Sequence, residues 1–199
     1  MARYTGPITK KSRRLKMDLV GGDKNFELRP FPPGQHGRRR IQEKEYLTQL
    51  QEKQRARFTY GVMEKQFVRY YKEAARRPGK TGENLLQILE TRLDNVVYRL
   101  GFAGSRAQAR QLVRHGHFLV NGRRVNIPSF GVRPDDVISL KSGSPAETIV
   151  RDATDLTAVV TPWLQADHDG LTGKVLKWPE RAEIDTPVQE SLIVELYSK

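Results

Sequence analysis

The side chains best suited to chemistry in this sequence lie in one run, residues 105–125, and the chemistry they suit is anion binding. Arg106, Arg110 and Arg114 are spaced four residues apart, so on a helix they share one face. Guanidinium groups bind phosphate well, and the open amides of a helix start favour an anion too. The alternative for these three arginines alone is an ordinary solvated face.

Two elements must position these side chains. Ser105 and Gln108 have the spacing of a capping box, which predicts that a helix begins there, and Gly116 suits its end. The pair Asn121-Gly122 predicts a type I′ turn between two short strands. This hairpin brings two more arginines beside the end of the helix.

The predicted unit carries an uncompensated positive charge. Five arginines and two histidines are expected to converge on one edge of a small domain, and no acidic residue lies between Ser105 and Arg133. A rigid unit of this charge favours folded RNA as its ligand over a catalytic pocket.

The run and the sequence before it resemble a known RNA-binding module. Residues 91–102, Thr-Arg-Leu-Asp-Asn-Val-Val-Tyr-Arg-Leu-Gly-Phe, together with residues 105–125 are similar to the module of the ribosomal protein S-four family. Four flanking segments resemble the bacterial members of that family: Pro30–Gly37, Glu52–Gln54, Pro162–Leu164 and Leu192–Lys199. The resemblance covers essentially the whole chain.

The resemblance implies an α+β fold and a role in the small ribosomal subunit. It implies a mainly helical domain at residues 42–90, completed by 176–199, with the RNA-binding domain inserted at 91–175 and a basic extended arm at 1–41. It also implies early binding to a multi-helix junction in the 5′ domain of the small-subunit RNA, nucleation of subunit assembly, contact with ribosomal protein S-five and other small-subunit proteins, an influence on translational accuracy, and repression of its own messenger RNA.

Charge is distributed unevenly along the 199 residues. Lys plus Arg number 35 against 23 Asp plus Glu, a net charge of +12. The first 145 residues hold this excess, whereas residues 146–199 hold 5 basic and 10 acidic residues. We therefore expect most of the chain to face a polyanion and the last quarter to face protein or solvent. No apolar run has the length of a membrane span, and the polar start lacks a signal-peptide pattern, so a cytoplasmic location without membrane contact is expected.

The arm is basic, rich in Gly and Pro, and has little periodicity. Our hypothesis is that it becomes ordered on RNA. The residues expected to contact RNA are Arg3, Lys10, Lys11, Arg13, Arg14, Gln35, His36, Arg38, Arg39 and Arg40 in the arm, Arg55 and Arg69 in the helical domain, and Arg106, Gln108, Arg110, Arg114, His115, His117, Asn121, Arg123 and Arg124 in the RNA-binding domain.

Helical spacing predicts the elements around this module. A helix over 42–58 would place Tyr46, Leu47 and Leu50 on one side, and the aromatics of a helix over 62–77 are expected in the core. A third helix begins near Glu83. The last residues, 192–196, favour a strand by β-branching but could equally close against the helical domain.

The absence of cysteine excludes disulfides and the usual structural zinc site. Many members of the resembled family carry a four-cysteine zinc knot near the N-terminus. Here Thr9 and Ser12 stand where a Cys-x-x-Cys pair is expected. We predict a zinc-free variant with no metal and no cofactor.

Two other functions use a similar module. Some pseudouridine synthases use the Asp of an Arg-Leu-Asp motif, and Arg92-Leu93-Asp94 is present here, but Thr91 replaces the usual Gly and no further catalytic domain remains. Asp94 is expected to pair with a cation or cap backbone amides. Residues 167–169, Asp-His-Asp, are expected to form a turn, not a metal site. A free RNA chaperone or an accessory protein of an RNA-modifying enzyme is the other alternative.

Overall fold

Helices form most of the regular structure and one small antiparallel sheet completes it, so the predicted α+β class is confirmed. The computed structural model describes residues 4–39, 42, 44–156 and 160–198. The chain divides into two units. Unit 1 consists of residues 1–85 and 186–199, and unit 2 of residues 86–185. The boundaries at 90/91 and 175/176 that the resemblance implies remain predictions.

Unit 1 is helical. Its elements are α1 (Ile8–Leu15), α2 (Lys24–Leu28), α3 (Glu45–Thr59), α4 (Glu64–Arg76), the first half of α5 (Thr81–Glu90) and α9 (Glu190–Ser198). Phe67, Tyr70 and Ala74 of α4 are buried, as helical spacing predicted. The aromatic side chains of α4 therefore belong chiefly to the core.

The arm differs from the extended segment that was expected. Two helices, α1 and α2, lie within residues 8–28. A hydrogen bond links them, in which Thr9 Oγ1 donates to Asp23 Oδ2 at 2.7 Å. The side chain of Asp23 also caps α2. Leu15 is buried, and the guanidinium of Arg55 donates to its carbonyl oxygen. Hydrogen bonds from polar side chains thus stabilise the fold of the arm, which has few apolar residues to bury.

The buried side of α3 is polar, which corrects the predicted apolar side. Tyr46 is 62% exposed, whereas Gln49, Glu52 and Lys53 are buried. Their partners lie far along the chain: Gln49 donates to Glu195, and Glu52 accepts from the backbone N–H of Gln189. Because these partners are distant in sequence, the local pattern of α3 could not identify its buried side.

The C-terminal segment is the helix α9, so the interpretation of residues 192–196 as a strand is wrong. Ile193 is fully buried, and Tyr197 contacts α4 through a hydrogen bond to Glu64 and a ring contact with Phe67. Packing of α9 against α3 and α4 outweighs the β-branched composition. The structure shows the second alternative given for this segment, in which it packs against the helical domain.

Unit 2 packs helices on one antiparallel sheet. Its helices are the second half of α5, α6 (Leu93–Arg99), α7 (Arg106–His115) and α8 (Glu147–Asp155), and a short 3₁₀ helix covers Arg181–Glu183. The strands are β1 (Phe118–Val120), β2 (Arg123–Arg124), β3 (Val137–Leu140), β4 (Leu164–Asp167) and β5 (Thr172–Val175), in the order β2-β1-β3-β5-β4. Trp163, Phe102 and Phe118 are fully buried in the core.

The local signals at α7 and its hairpin are confirmed. The hydroxyl of Ser105 accepts from the N–H of Gln108 at 3.2 Å, and the Gln108 side chain caps the N–H of Gly104, not that of Ser105. Gly116 ends α7 with φ of 73°, and Asn121 and Gly122 have φ of 49° and 74°. Both turn residues thus have the positive φ that a type I′ turn requires.

The segment after residue 146 contains a helix that the sequence analysis missed. The helix α8 precedes the two strands of this segment. Val150, Ala153 and Thr154 are its buried residues, three and four positions apart, which is helical spacing. Residues 168–171 connect β4 to β5 as a turn, so a turn is confirmed here, although Asp167 is the last residue of β4. His168 is bonded to the carbonyl oxygen of Leu100.

Candidate nucleic-acid interface

Cationic side chains gather where α7 ends and the β1–β2 hairpin begins. We call Arg114, His115, His117, Arg123, Arg124 and Lys141 the hairpin cluster. All are exposed except His117, which is partly buried. Arg124 Nη2 donates to the carbonyl oxygen of His115 at 3.1 Å, and this bond places its guanidinium at the negative end of α7. A cation held at a fixed position loses little side-chain freedom when it binds a phosphate.

Gly116 provides the space in which the Arg124 guanidinium lies. A Cβ atom added at Gly116 would approach Arg124 Cζ to 2.8 Å. Since Gly116 also has a positive φ, it both ends the helix and leaves room for the cation.

Replacing Gly116 with Ala should therefore displace Arg124. We expect RNA binding to weaken and the steepness of its salt dependence, the magnitude of d log K/d log[salt], to fall by about 0.7–0.9, the value for one lost phosphate contact. Gly143→Ala is the matched control, because Gly143 has φ of 68° and open space around its Cβ. Both changes should cost about 1–2 kcal/mol of stability from the left-handed backbone. Equal RNA affinities of the two variants over a salt titration would contradict this role of Gly116.

His117 lies among other cations. Its Nδ1 is 2.8 Å from the hydroxyl oxygen of Ser144, and its ring centroid is 6.0 Å from that of His115. Burial lowers the pKa of His117 below its usual 6.5, and the charges of His115, Arg124 and Lys141 lower it further. Protonation therefore disfavours the folded free protein, and the resulting loss of stability develops as pH falls below 6.5.

A bound phosphate should reverse this effect on His117. We expect its pKa to be higher in the RNA complex than in the free protein, so RNA binding should take up a proton and strengthen as pH falls through the pKa of the complex. NMR titration of the imidazole in both states measures the change directly, and His117→Gln should remove this part of the pH dependence. A pKa that is unchanged or lower in the complex would show that no phosphate approaches the ring.

Arg106 and Arg110 of α7 contact α6 and are only partly exposed. The exposed part of the predicted three-arginine face is therefore smaller than the sequence indicated. Arg106 Nε donates to Asn95 Oδ1 at 2.8 Å, and its guanidinium lies 4.5 Å from the Tyr98 ring centroid. Arg110 Nη1 lies 3.8 Å from the carboxylate of Asp94. Only Arg114 of the three is exposed. The basic side chains therefore divide between the two ends of α7, with Arg106 and Arg110 toward its start and the hairpin cluster at its end.

A buried polar network supports this side of α7. Asn95 donates to the backbone and side-chain oxygens of Glu90, which is fully buried and also accepts two bonds from Arg99. Asp94 pairs with Arg92 at 2.6 Å, and both are almost fully buried. The prediction that Asp94 pairs with a cation is confirmed.

Unit 1 carries its own cations on the arm. Arg13 Nε donates to the carbonyl oxygens of Arg29 and Phe31. The guanidinium carbons of Arg13 and Arg38 lie 5.2 and 4.9 Å from the Phe31 ring centroid. Gln35, His36 and Arg39 of the same loop are exposed. The proline-rich motif is thus a folded loop that exposes polar and cationic side chains.

The predicted contact residues fall into three groups. Exposed residues are Lys10, Arg14, Gln35, His36, Arg38, Arg39, Arg69, Arg114, His115, Asn121, Arg123 and Arg124. Partly buried residues are Lys11, Arg13, Arg55, Arg106, Gln108, Arg110 and His117. Arg3 and Arg40 lie outside the described residues. Among the exposed ones, Asn121 donates to Asp136 and accepts from the N–H of Val137, so both polar groups of its side chain stabilise the turn.

Lys141 and Ser144 belong to the site but were missed by the sequence analysis. Lys141 N–H donates to the carbonyl oxygen of His117, and Ser144 holds the His117 ring. No spacing pattern links these residues to α7, because strand pairing of β1 with β3 brings them together. The one local feature of Lys141 is its position directly after β3.

The zinc knot of the resembled family does not fit this arm. Hydroxyl groups replace the expected thiolates, and those of Thr9 and Ser12 are engaged with Asp23 and with the N–H of Leu19. Within the described ranges, no group of three or more His, Asp or Glu side chains could hold a metal ion. No helix found there is long and apolar enough to cross a membrane.

A small sheet, a capped helix and fixed exposed cations are the features of an RNA-binding protein of the α+β class. Comparison with known proteins identifies its family. Residues 3–90 match the ribosomal protein S4/S9 N-terminal domain, and residues 91–138 match the S4 domain. The chain therefore belongs to the ribosomal protein S4 family.

Individual relatives match over their whole length. The chain is 64% identical to the small ribosomal subunit protein uS4 of Saccharopolyspora erythraea, with 100% of both chains covered. It is 63% identical to the protein of that name from Corynebacterium kroppenstedtii and 64% identical to that from Nocardioides sp., again with full coverage of both chains.

Proposed function

We propose that this protein is a structural component of the small ribosomal subunit and binds small-subunit ribosomal RNA directly in the cytoplasmic ribosome. Family membership and full-length similarity to proteins named for that subunit support the proposal. The observation that carries it is the hairpin cluster. Five of its six cationic or titratable side chains lie on α7 and the hairpin that follows it, in a stretch with no acidic residue between 105 and 133, and Lys141 joins them from the end of β3.

The mechanism is recognition of RNA shape and phosphate. The exposed cations of the arm and of the hairpin cluster meet phosphates, while Arg106 and Arg110 contribute from the partly buried side of α7. Several RNA helices that meet at a junction repel one another, and fixed cations reduce this repulsion for one geometry. The ligand we propose is a multi-helix junction in the 5′ domain of the RNA, and binding there nucleates subunit assembly.

Further roles are proposed for the protein when it is bound at this RNA junction. Contact with ribosomal protein S-five, an influence on translational accuracy and repression of the protein's own messenger RNA are the finer parts of the proposal. The acidic residues of 146–199 are suited to neighbouring proteins and not to RNA. Hydrogen exchange of residues 4–39 with and without RNA tests whether the arm gains order on binding.

Catalysis plays no part in this proposal. Asp94, the residue that a pseudouridine synthase would use, is 4% exposed and paired with Arg92, so it could not reach a base. Incubation with uridine-labelled RNA tests this directly, since formation of pseudouridine would contradict a purely structural role.

Sedimentation and crosslinking test the main proposal. The protein should co-sediment with small subunits in a sucrose gradient, and ultraviolet crosslinking in purified subunits should join hairpin-cluster peptides to the 5′ domain RNA. A protein found only in the free fraction would favour an RNA chaperone or an accessory protein of an RNA-modifying enzyme.

A further inference from the structure

The turn at the tip of the β1–β2 hairpin contains a residue pair that is prone to deamidation. Asn121 and Gly122 are both exposed, and both have the positive φ that a type I′ turn requires. Asparagine is a heat-labile residue, and its side chain reacts most readily when glycine follows, because glycine has no Cβ to obstruct the approach. The geometry of the turn therefore places a reactive pair at the tip of the hairpin.

Deamidation of this pair needs only water as a co-reactant. The backbone nitrogen of Gly122 attacks Cγ of Asn121, and the Cγ–Nδ2 bond breaks. The amide nitrogen leaves as ammonia and takes the proton of the Gly122 N–H, which leaves a cyclic imide. Water then opens the ring, and cleavage of the new N–Cγ bond gives aspartate, whereas cleavage of the original peptide bond gives isoaspartate. Among the residues that the structure describes, the Gly122 N–H donates no backbone hydrogen bond that would have to break first.

Two hydrogen bonds hold the side chain of Asn121 against the start of β3. Its Nδ2 donates to Asp136 Oδ1 at 2.8 Å, and its Oδ1 accepts from the N–H of Val137 at 2.9 Å. The backbone N–H of Asn121 also donates to the carbonyl oxygen of Val137 at 2.8 Å. Since Cγ must join the backbone nitrogen of Gly122 and Nδ2 must depart, these side-chain bonds have to break before the ring closes.

We propose that Asn121 is a deamidation site that its bonds to Asp136 and Val137 restrain, and that the modification inactivates the hairpin cluster. The second part rests on the proposed RNA-binding function and assigns that site an irreversible means of inactivation. A carboxylate at position 121 would face the carboxylate of Asp136, whose Oδ1 lies 2.8 Å from Nδ2, and like charges this close repel. Isoaspartate would also add a backbone atom to the turn. Either product should displace Arg123 and Arg124, which directly follow the turn.

Mass spectrometry of the full chain tests the chemical part. The protein is incubated in mildly alkaline buffer, and the tryptic peptide of residues 115–123 is followed over time. This peptide contains Asn121 and no other asparagine or glutamine. Asp136→Ala should raise the rate of deamidation by about tenfold or more, as expected for loss of one hydrogen bond to a charged acceptor. The unmodified protein unfolded in urea should react faster still, because both bonds are then absent.

Val150→Ala is the matched control for Asp136→Ala. Val150 is fully buried in α8, so the change lowers the stability of unit 2 but leaves both side-chain bonds of Asn121 in place. With folding verified by circular dichroism, this variant should react at the rate of the unmodified protein. Equal rates for the two variants would overturn the restraint. If Asp136→Ala does not fold, equal rates for the unmodified protein with and without urea would overturn it.

An internal control lies in the same segment. Asn126 is exposed like Asn121, but the β-branched Ile127 follows it and hinders attack by the backbone nitrogen. We expect Asn126 to remain unmodified while Asn121 reacts in the Asp136→Ala variant. Deamidation of both residues at one rate would show that exposure alone decides, which would contradict the assignment of a specific site.

RNA binding of Asn121→Asp tests the functional part. For a transcript of the 5′ domain of small-subunit RNA, we expect the magnitude of d log K/d log[salt] to fall by roughly 1–2, for two arginine contacts at about 0.7–0.9 each. Asn126→Asp makes the same charge change outside the turn and should have a much smaller effect. An equal effect of the two changes, or none of Asn121→Asp, would overturn the inactivation. If the unmodified protein fails to bind the transcript, the proposed function itself fails, whereas the deamidation rates still decide the chemical part.

Discussion

Asp94→Ala should destabilise the protein by about 3–5 kcal/mol, since removing one partner leaves a buried charge uncompensated. Asp94 accepts hydrogen bonds from Arg92 Nε at 3.0 Å and Nη2 at 2.6 Å, and Arg92 is 3% exposed. Small domains are stable by only about 5–15 kcal/mol, so the loss is a large part of the total. Urea unfolding, followed by a tryptophan signal from the buried Trp163 of unit 2, measures it.

Asp135→Asn is the control for this change, because Asp135 has φ of 69° and Asn tolerates this left-handed backbone. Asp135 also forms an ion pair, with Lys174 at 2.9 Å, but its side chain is 81% exposed. Exposed pairs contribute about 0–1 kcal/mol, so this variant should unfold almost like the unmodified protein. Similar losses for the two variants would mean that the Arg92–Asp94 pair does not support unit 2. A large difference would give the Arg-Leu-Asp motif a structural role.

Replacing Arg114, Arg123 and Arg124 together with Gln should weaken RNA binding more than any single change in unit 2. These are the exposed arginines of the hairpin cluster, so their loss should leave the core intact. We expect the magnitude of d log K/d log[salt] to fall by roughly 2–3, at about 0.7–0.9 for each phosphate contact. Binding to the 5′ domain transcript at several salt concentrations gives this slope.

Three cations in the acidic part of unit 2 provide the control. Arg151, Lys174 and Lys177 pair with Glu147, Asp135 and Glu180, respectively. Their replacement with Gln changes the net charge by the same amount but should leave the slope nearly unchanged. If both triple variants lowered the slope equally, the protein would respond to total charge alone, and the hairpin cluster would not be a specific interface.

The two ends of α7 use their cations differently. Arg106 and Arg110 are held by Asn95, Tyr98 and Asp94 of α6, so their positions depend on the buried network around Glu90. Arg114 and Arg123 are exposed, and Arg124 is held by a single backbone bond. The helix α7 therefore contacts the buried polar network at one end and presents exposed cations at the other.

Short-range signals were sufficient for the helix–hairpin part of the site. Ser105, Gly116 and the pair Asn121-Gly122 act through hydrogen bonds and dihedral angles within a few residues, so their effect could be recognised without knowing the rest of the fold. The RNA-binding class followed from charge, because an excess of cations without nearby acids has the same meaning in any fold.

Long-range packing decided the remainder. The polar side of α3 and the helical state of α9 depend on pairs such as Gln49 with Glu195, which are 146 residues apart. The partly buried state of Arg106 and Arg110 depends on how α6 packs against α7. Lys141 joins the hairpin cluster through pairing of β1 with β3. Periodicity and charge identify what a segment can do, but the choice of buried face is made by partners that only the folded chain brings into contact.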